Sequence, residues 1–318
     1  MLLIFEYLVV AALVVYLSIK ASEYIDMLDR TTDLSGAFLG GVLLSAVTSL
    51  PELFTSISAT ILLNKPSLCI GNILGSNLFN AAILALLGIV AIRGFRRARI
   101  AKGNIAVACF VAAIYVVLIL NWFNILDFEI ATLNVVTFVI VILYAFGVRF
   151  LAGDNGGKSE DPDDGTIGMT TRQIAVRFAA VSVGIIAMSI LMTYITDDIA
   201  SEYNIGMGLA GAIFLGVATS LPEVSSTVAL FRMKNYDVAV GNIIGSNLFN
   251  FIVLCIADLL CIRGSVYDYS DPKVENLLVF GVVAALAMIP ALRSKSAAVK
   301  TICLAAAVAC YAAFMFLD

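Results

Sequence analysis

The chain has 318 residues, of which 61% are hydrophobic and 13% charged, and it contains no histidine. Soluble domains are usually about a quarter charged, so this composition excludes an ordinary water-soluble enzyme. The net charge of −4 argues against a nucleic-acid partner. The six cysteines lie inside apolar runs without a CxxC pair, which is typical of small buried side chains rather than a metal site.

Long apolar runs predict an all-α polytopic membrane protein with ten transmembrane helices. Only helices or a closed barrel satisfy the backbone in lipid, and runs of this length without alternation favour helices. The predicted spans, in chain order, are approximately Leu2 to Ile19, Leu34 to Leu63, Leu68 to Ile92, Ile105 to Leu120, Ile130 to Phe150, Ile174 to Ile195, Gly206 to Phe231, Val238 to Ile262, Val274 to Leu292 and Lys300 to Leu317.

Basic residues are distributed unequally between the two sides of these spans. Of the 19 lysines and arginines, 15 fall on one side, beginning with Lys20 and Arg30, and 3 on the other, while Arg177 lies just inside the sixth span. This positive-inside bias predicts a multi-pass plasma-membrane protein with both termini outside. The Gly-, Asp- and Pro-containing midpoint predicts a cytoplasmic linker over 151–173, between a five-helix half at 1–150 and another at 174–318.

Two segments of the first half recur in the second. Thr48-Ser-Leu-Pro-Glu52 reappears as Thr219-Ser-Leu-Pro-Glu223, and Gly71–Asn80 reappears at Gly241–Asn250 with nine of ten positions identical. The copies start five predicted spans apart, so they cross the membrane in opposite directions. Inverted-topology repeats are a transporter architecture with a binding site near the bilayer midplane. An intramembrane enzyme would need a nucleophile, base or metal set that the sequence does not offer.

The repeated segments carry polar side chains into otherwise apolar spans. Glu52 and Glu223 lie near mid-span, where carboxylates are rare unless they are paired or functional. Pro51 and Pro222 remove a backbone N–H and are expected to free carbonyls at Ser45 to Thr48 and Gly216 to Thr219. Helical spacing places four polar stripes: Ser45, Thr48 or Ser49, Glu52 and Ser56; Thr219 or Ser220, Glu223 and Thr227; Asn72, Ser76 and Asn80; and Asn242, Ser246 and Asn250.

All these candidate ligands are oxygens, which suit hard cations such as Ca²⁺, whereas Zn²⁺ or copper would call for His or Cys. Two carboxylates neutralise one Ca²⁺ or two Na⁺. Ca²⁺ and Na⁺ can therefore compete for one set of ligands, as antiport requires. The GxxxG spacing of Gly71 and Gly75, and of Gly241 and Gly245, predicts close helix packing.

The paired TSLPE and GN-I-x-GSNLFN segments resemble the α-repeats of the calcium:cation antiporter superfamily, specifically a compact prokaryotic sodium/calcium exchanger. The resemblance covers essentially the whole chain. It implies that Glu52 and Glu223 are central ligands shared by Ca²⁺ and Na⁺, and that Asn80 and Asn250 face the middle. It also implies that the first and sixth helices slide against the other eight. The further ligands that it implies are the carbonyls of Thr48 and Thr219 for Ca²⁺, and Ser49, Ser76, Ser220 and Ser246 with the carbonyls of Ser45 and Gly216 for Na⁺.

The sequence departs from the family at several positions. Val47 and Ala218 replace a frequent Gly, and Asn250 stands where potassium-dependent relatives carry Asp. Asp258, near the outer end of its helix, is interpreted as an interfacial residue. The predicted function is Na⁺/Ca²⁺ antiport by a monomer that needs no cofactor beyond the transported ions and no obligate protein partner. H⁺/Ca²⁺ antiport through the same two glutamates is the alternative, and a cation channel is a weaker one, since a channel gives no reason for inverted copies.

Overall fold

The computed structural model describes residues 2–32, 34, 36–57, 60–61, 66–130, 133–153, 169–202, 216–261, 266–267, 269 and 272–317. Nearly all of them are helical. Eight helices are long and apolar enough to cross a membrane, or up to nine if one bent pair counts as a single span. The fold is therefore that of a multi-pass helical membrane protein.

The described part of the chain contains twelve helices. In chain order they are α1 (Leu2–Thr31), α2 (Gly36–Thr48), α3 (Leu50–Ile57), α4 (Pro66–Val90), the short α5 (Ile92–Phe95), α6 (Lys102–Trp122), α7 (Val135–Gly153), α8 (Thr171–Glu202), α9 (Gly216–Arg232), α10 (Tyr236–Leu260), α11 (Pro272–Arg293) and α12 (Ala297–Leu317).

The second predicted span is broken into α2 and α3. Their axes differ by 41°, and Ser49 lies at the junction with φ −93° and ψ 6°. Pro51, just after it, has no N–H to donate to the carbonyl four residues earlier, which prevents an unbroken ladder. A π-helical stretch, Leu39–Leu44, lies inside α2. The bend was predicted at this proline, and it places Glu52 in the first turn of α3.

Several element boundaries differ from the predicted spans. The helices of the first and sixth predicted spans, α1 and α8, are longer than expected. Lys20 lies inside α1 rather than in a loop. A helix continues beyond its apolar run when its end is solvated or packed, so hydropathy underestimates length. The predicted seventh span begins at Gly206, but residues 203–215 lie outside the described part. Residues 35, 58–59 and 62–63 of the second span lie outside it as well.

A small antiparallel pair of strands, β1 (Glu129–Ile130) and β2 (Leu133–Asn134), joins α6 to α7 and was not predicted. In this pair Glu129 lies opposite Asn134 and Ile130 opposite Leu133. Strands of two residues are too short to show the alternation by which strands are recognised in a sequence. The helix of the fifth predicted span, α7, therefore begins at Val135 and not at Ile130.

α10 lies at the centre of the bundle and α1 at its edge. Of the most apolar 18-residue window of each helix, 72% is buried in α10 but only 17% in α1. The first half of α1 and the second half of α8 share a separate apolar cluster, formed by Val10, Val14, Met192, Ile195 and Ile199. The α1–α8 pair is thus packed partly against itself, while α10 positions the site.

Candidate cation site

Two carboxylates meet in the middle of the bundle. Glu52 on α3 and Glu223 on α9 are each only 1% exposed. The Ser49 hydroxyl donates to Glu223 Oε1 at 3.0 Å. The Glu52 carboxyl interacts in turn with the hydroxyls of Thr219 and Ser220. Each glutamate is thus held by hydroxyl groups of the opposite TSLPE segment.

The second oxygen of each carboxylate has no hydrogen-bond partner within the described part of the chain. These two atoms, Glu52 Oε2 and Glu223 Oε2, are buried. The salt bridges found among the described residues lie elsewhere, within α1. Buried carboxylates without a counter-charge cost several kcal/mol each. A cation between Glu52 and Glu223 would remove that cost, which makes these two oxygens candidate cation ligands.

The end of α2 packs on α10 through polar groups. Thr48 Oγ1 lies 3.4 Å from Asn242 Oδ1 and 3.4 Å from Ser246 Oγ. The same hydroxyl donates to the Ser45 carbonyl at 3.3 Å. Ser49 N donates to that carbonyl as well, at 3.0 Å. The Ser45 carbonyl is therefore not free, contrary to the expectation from Pro51, because the missing proline N–H concerns the carbonyl of Val47.

The second copy is not bent in the same way. α9 runs as one helix from Gly216 through Pro222 to Arg232. Residues 216–219, the counterparts of 45–48, already belong to this helix, and the chain before Gly216 lies outside the described part. Thr219 and Ser220 are each 2% exposed, as their place beside Glu223 requires.

Two asparagines complete the set of free acceptors. Asn80 on α4 and Asn250 on α10 are each 1% exposed, and the Oδ1 atom of both is buried and has no hydrogen-bond partner among the described residues. Their amide nitrogens donate to Asn247 and Asn77, respectively. Ser76 and Ser246, one turn earlier on the same helices, are 5% and 0% exposed.

Asn77 and Asn247 were not predicted as site residues. Both lie inside the repeated GSNLFN sequence, one residue after the serine that the stripe includes. The available signal was their presence in both copies. It was missed because helical periodicity assigns position i+5 to a different face from i and i+4.

The two copies differ in the hydrogen bonds of the first asparagine of each repeated segment, Asn72 and Asn242. Asn242 Nδ2 donates to Ser226 Oγ at 2.9 Å and to Thr227 Oγ1 at 3.0 Å. In the first copy, Asn72 Nδ2 and Ser56 Oγ are buried without a partner in the described structure. The arrangement is therefore asymmetric although the sequences match.

The glycine spacing shows the same asymmetry. A Cβ on Gly245 would lie 2.6 Å from Gly41 Cα, so α10 and α2 are in backbone contact there. A Cβ on Gly75 would have no heavy atom within 4 Å, and one on Gly71 would meet only Val274, at 3.8 Å. The prediction of close GxxxG packing is confirmed for the second copy. For the first copy it stays a prediction, because the counterpart of Gly41, residue 212, lies outside the described part.

Asp258 lies away from these groups. Its Oδ2 accepts from Thr137 Oγ1 at 2.7 Å and from the backbone N–H of Asn134 at 3.3 Å. It joins α10 to β2 and α7, and its interpretation as an interfacial residue stays a prediction.

The site consists entirely of oxygen ligands: two carboxylates, two amide carbonyls and the surrounding hydroxyls. Ca²⁺ and other hard cations take six to eight such oxygens at about 2.3 to 2.6 Å. The residues present therefore fit a hard cation as the bound substrate.

Comparison with known proteins gives a consistent family. The family model described as "Sodium/calcium exchanger protein" matches residues 3–152 and 174–317. "Inner membrane protein YrbG" of Escherichia coli is 26% identical over 258 residues, which are 76% of this chain and 74% of that protein. Human "Sodium/potassium/calcium exchanger 3" is 32% identical over 78 residues, which are 24% of this chain and 12% of that protein. A solved structure of the sodium-calcium exchanger NCX_Mj superposes with a TM-score of 0.75 and 19% identity, covering 100% of this chain and 99% of that one.

Proposed function

Because the chain belongs to the sodium/calcium exchanger family, we propose that it is a secondary active antiporter that exchanges Na⁺ for Ca²⁺ at the site between α3, α4, α9 and α10. The observation that carries this proposal is the pair of buried carboxylates, Glu52 and Glu223, each with one oxygen that has no hydrogen-bond partner in the described structure. A divalent cation neutralises both at once, and two Na⁺ ions do the same.

The neighbouring oxygens favour Na⁺ over H⁺ as the coupling ion. A proton needs only the two carboxylates, whereas a dehydrated alkali ion needs several further oxygens around it. The buried hydroxyls of Ser49, Ser76, Ser220 and Ser246 and the free amide oxygens supply them. H⁺/Ca²⁺ antiport is the alternative outcome of the flux experiment below.

We also propose the ten-helix inverted-repeat architecture, with halves at 1–150 and 174–318. The reciprocal contacts support it, since Ser49 binds Glu223 while Ser220 interacts with Glu52. Motion of α1 and α8 against the rest is supported by their separate apolar cluster. Transport then consists of exposing the same ligands alternately to either side.

The test is Ca²⁺ flux in liposomes that contain the purified protein. Radiolabelled Ca²⁺ uptake is measured with an outward gradient of Na⁺, of K⁺ or of H⁺, each imposed separately, at a clamped membrane potential. We expect saturable uptake only with the Na⁺ gradient. Uptake driven by H⁺ alone would replace the proposal by H⁺/Ca²⁺ antiport. Conductance that needs no counter-ion would contradict the antiporter.

A further inference from the structure

Asn77 on α4 and Asn247 on α10 bind each other's backbone where the two helices cross. Asn77 Nδ2 donates to the Asn247 carbonyl at 3.3 Å, and Asn247 Nδ2 donates to the Asn77 carbonyl at 3.1 Å. The two side chains are 1% and 6% exposed. A backbone carbonyl can only accept a hydrogen bond, so these contacts fix which end of each amide is the nitrogen.

The orientation of these two amides determines that of the next pair of asparagines. Because the Nδ2 atoms of Asn77 and Asn247 donate to backbone carbonyls, their Oδ1 atoms are left to accept hydrogen bonds. Each of these oxygens accepts from a neighbouring side-chain amide. Asn250 Nδ2 donates to Asn77 Oδ1 at 2.9 Å, and Asn80 Nδ2 donates to Asn247 Oδ1 at 3.1 Å. The oxygens of Asn80 and Asn250 must then point away from this network, and they are the atoms that lack a partner.

We propose that Asn77 and Asn247 are positioning residues that hold the amides of Asn250 and Asn80 with their oxygens toward the transported cation. This inference rests on the proposed function. Without the network, either amide could turn by 180° and direct its two N–H groups at the cation, which would repel it. Groups that orient a metal ligand without touching the metal commonly change affinity by about 10- to 100-fold.

The network also explains why residue 250 can be asparagine here. A carboxylate at this position has no hydrogen to give to Asn77 Oδ1. Asn77 would have to turn its nitrogen toward the carboxylate, and it would then lose its bond to the Asn247 carbonyl. Asn77 and Asn250 are therefore a matched pair, in which a change at one alters what the other can do.

The test is a double-mutant cycle read as Ca²⁺ affinity, measured by calorimetry on purified protein in detergent without Na⁺. Asn77→Leu keeps the branched outline of the side-chain heavy atoms and removes the acceptor for Asn250. We expect it to raise the Ca²⁺ dissociation constant by about tenfold. In an Asn250→Ala background, which has no amide to orient, the same substitution should change the constant by less than about twofold. An equal loss in both backgrounds would overturn the proposal, because it would indicate a general packing defect.

The matched control is Asn121→Leu. Asn121 on α6 is 3% exposed and bonds to Leu126 and Asn134, away from the site. We expect no change in its Ca²⁺ affinity. The same cycle can be made on the other helix, with Asn247→Leu in the wild-type and Asn80→Ala backgrounds. If Asn77→Leu does not fold, this second cycle tests the proposal by the same criterion. If the wild-type protein binds no Ca²⁺, both the proposed function and this inference are contradicted. If the protein exchanges ions normally and Asn77→Leu leaves the Ca²⁺ affinity unchanged, only this inference is contradicted.

Discussion

Glu52 and Glu223 are almost completely buried, and each has one oxygen without a hydrogen-bond partner in the described structure. Replacing either by glutamine removes the negative charge but keeps the shape of the side chain. The Ser49 hydroxyl can still donate to an amide oxygen at residue 223, and the fold is expected to persist. Removing one partner from a buried ionic arrangement costs about 3 to 5 kcal/mol. We therefore expect Glu52→Gln and Glu223→Gln each to lower Ca²⁺ exchange in liposomes by more than about 100-fold.

Asp258→Asn is the control for these two variants. Asp258 is also a buried acid, at 4% exposure, but its hydrogen bonds go to Thr137 and Asn134 outside the site. Exchange should remain within about twofold of the wild type, since the amide oxygen can keep the Thr137 contact. Full transport by either glutamine variant would contradict the assignment of that glutamate as a central ligand.

At the scale of helices, the contact between α2 and α10 depends on the absence of a side chain at Gly245. An alanine there would overlap Gly41 of the facing backbone, which cannot move as a flexible side chain can. Overpacking of this kind typically costs about 1 to 3 kcal/mol. Gly245→Ala should therefore lower the melting temperature of the purified protein. Gly153→Ala, at the exposed end of α7 where a Cβ would meet no described heavy atom within 4 Å, should leave it nearly unchanged. Equal effects would show that the contact between α2 and α10 does not contribute to stability.

Asn235 ties α1 to the start of α10. Its Nδ2 donates to Asp26 Oδ1 at 2.8 Å and to Asp29 Oδ2 at 3.1 Å, while its Oδ1 caps α10 by accepting from Val238 N at 3.4 Å. Serine caps helices as well as asparagine but is too short to reach α1. In Asn235→Ser we expect amide hydrogen exchange to accelerate in the last turns of α1 and not in α6. Unchanged exchange in α1 would show that the Asn235 contacts do not hold it.

For the molecule as a whole, the distribution of basic residues predicts that both termini lie outside. Alkaline phosphatase is active only outside the cytoplasm, so a fusion after Asp318 should be active and one within the linker, at Gly157, inactive. Fluorescence of a green fluorescent protein fused at the same two sites should show the opposite pattern. An inactive phosphatase at Asp318 would reverse the proposed orientation.

Hydropathy and the repeated motifs were enough to predict a helical membrane fold and the burial of Glu52, Glu223, Asn80 and Asn250. The bend before Pro51 was predictable because proline acts locally on the backbone. The different course of α9 at Pro222 was not, because identical local sequences can be placed in different packing environments. The role of Asn77 depends on α4 crossing α10 at that residue, which periodicity along one helix cannot reveal.

The unequal contacts of Asn242 and Asn72 have an energetic consequence. One copy has hydrogen bonds to hydroxyls that the other lacks, and each such bond contributes about 0.5 to 1.5 kcal/mol. If the copies exchange these contacts when access changes sides, bonds lost in one are regained in the other, and the two states differ little in energy. A differential binding energy of about 5.5 kcal/mol suffices to move a 1:99 mixture to 99:1. Under the proposed alternating-access mechanism, near-identical motifs in both halves would keep the free energies of the two states similar, so that the bound ion decides which state is populated.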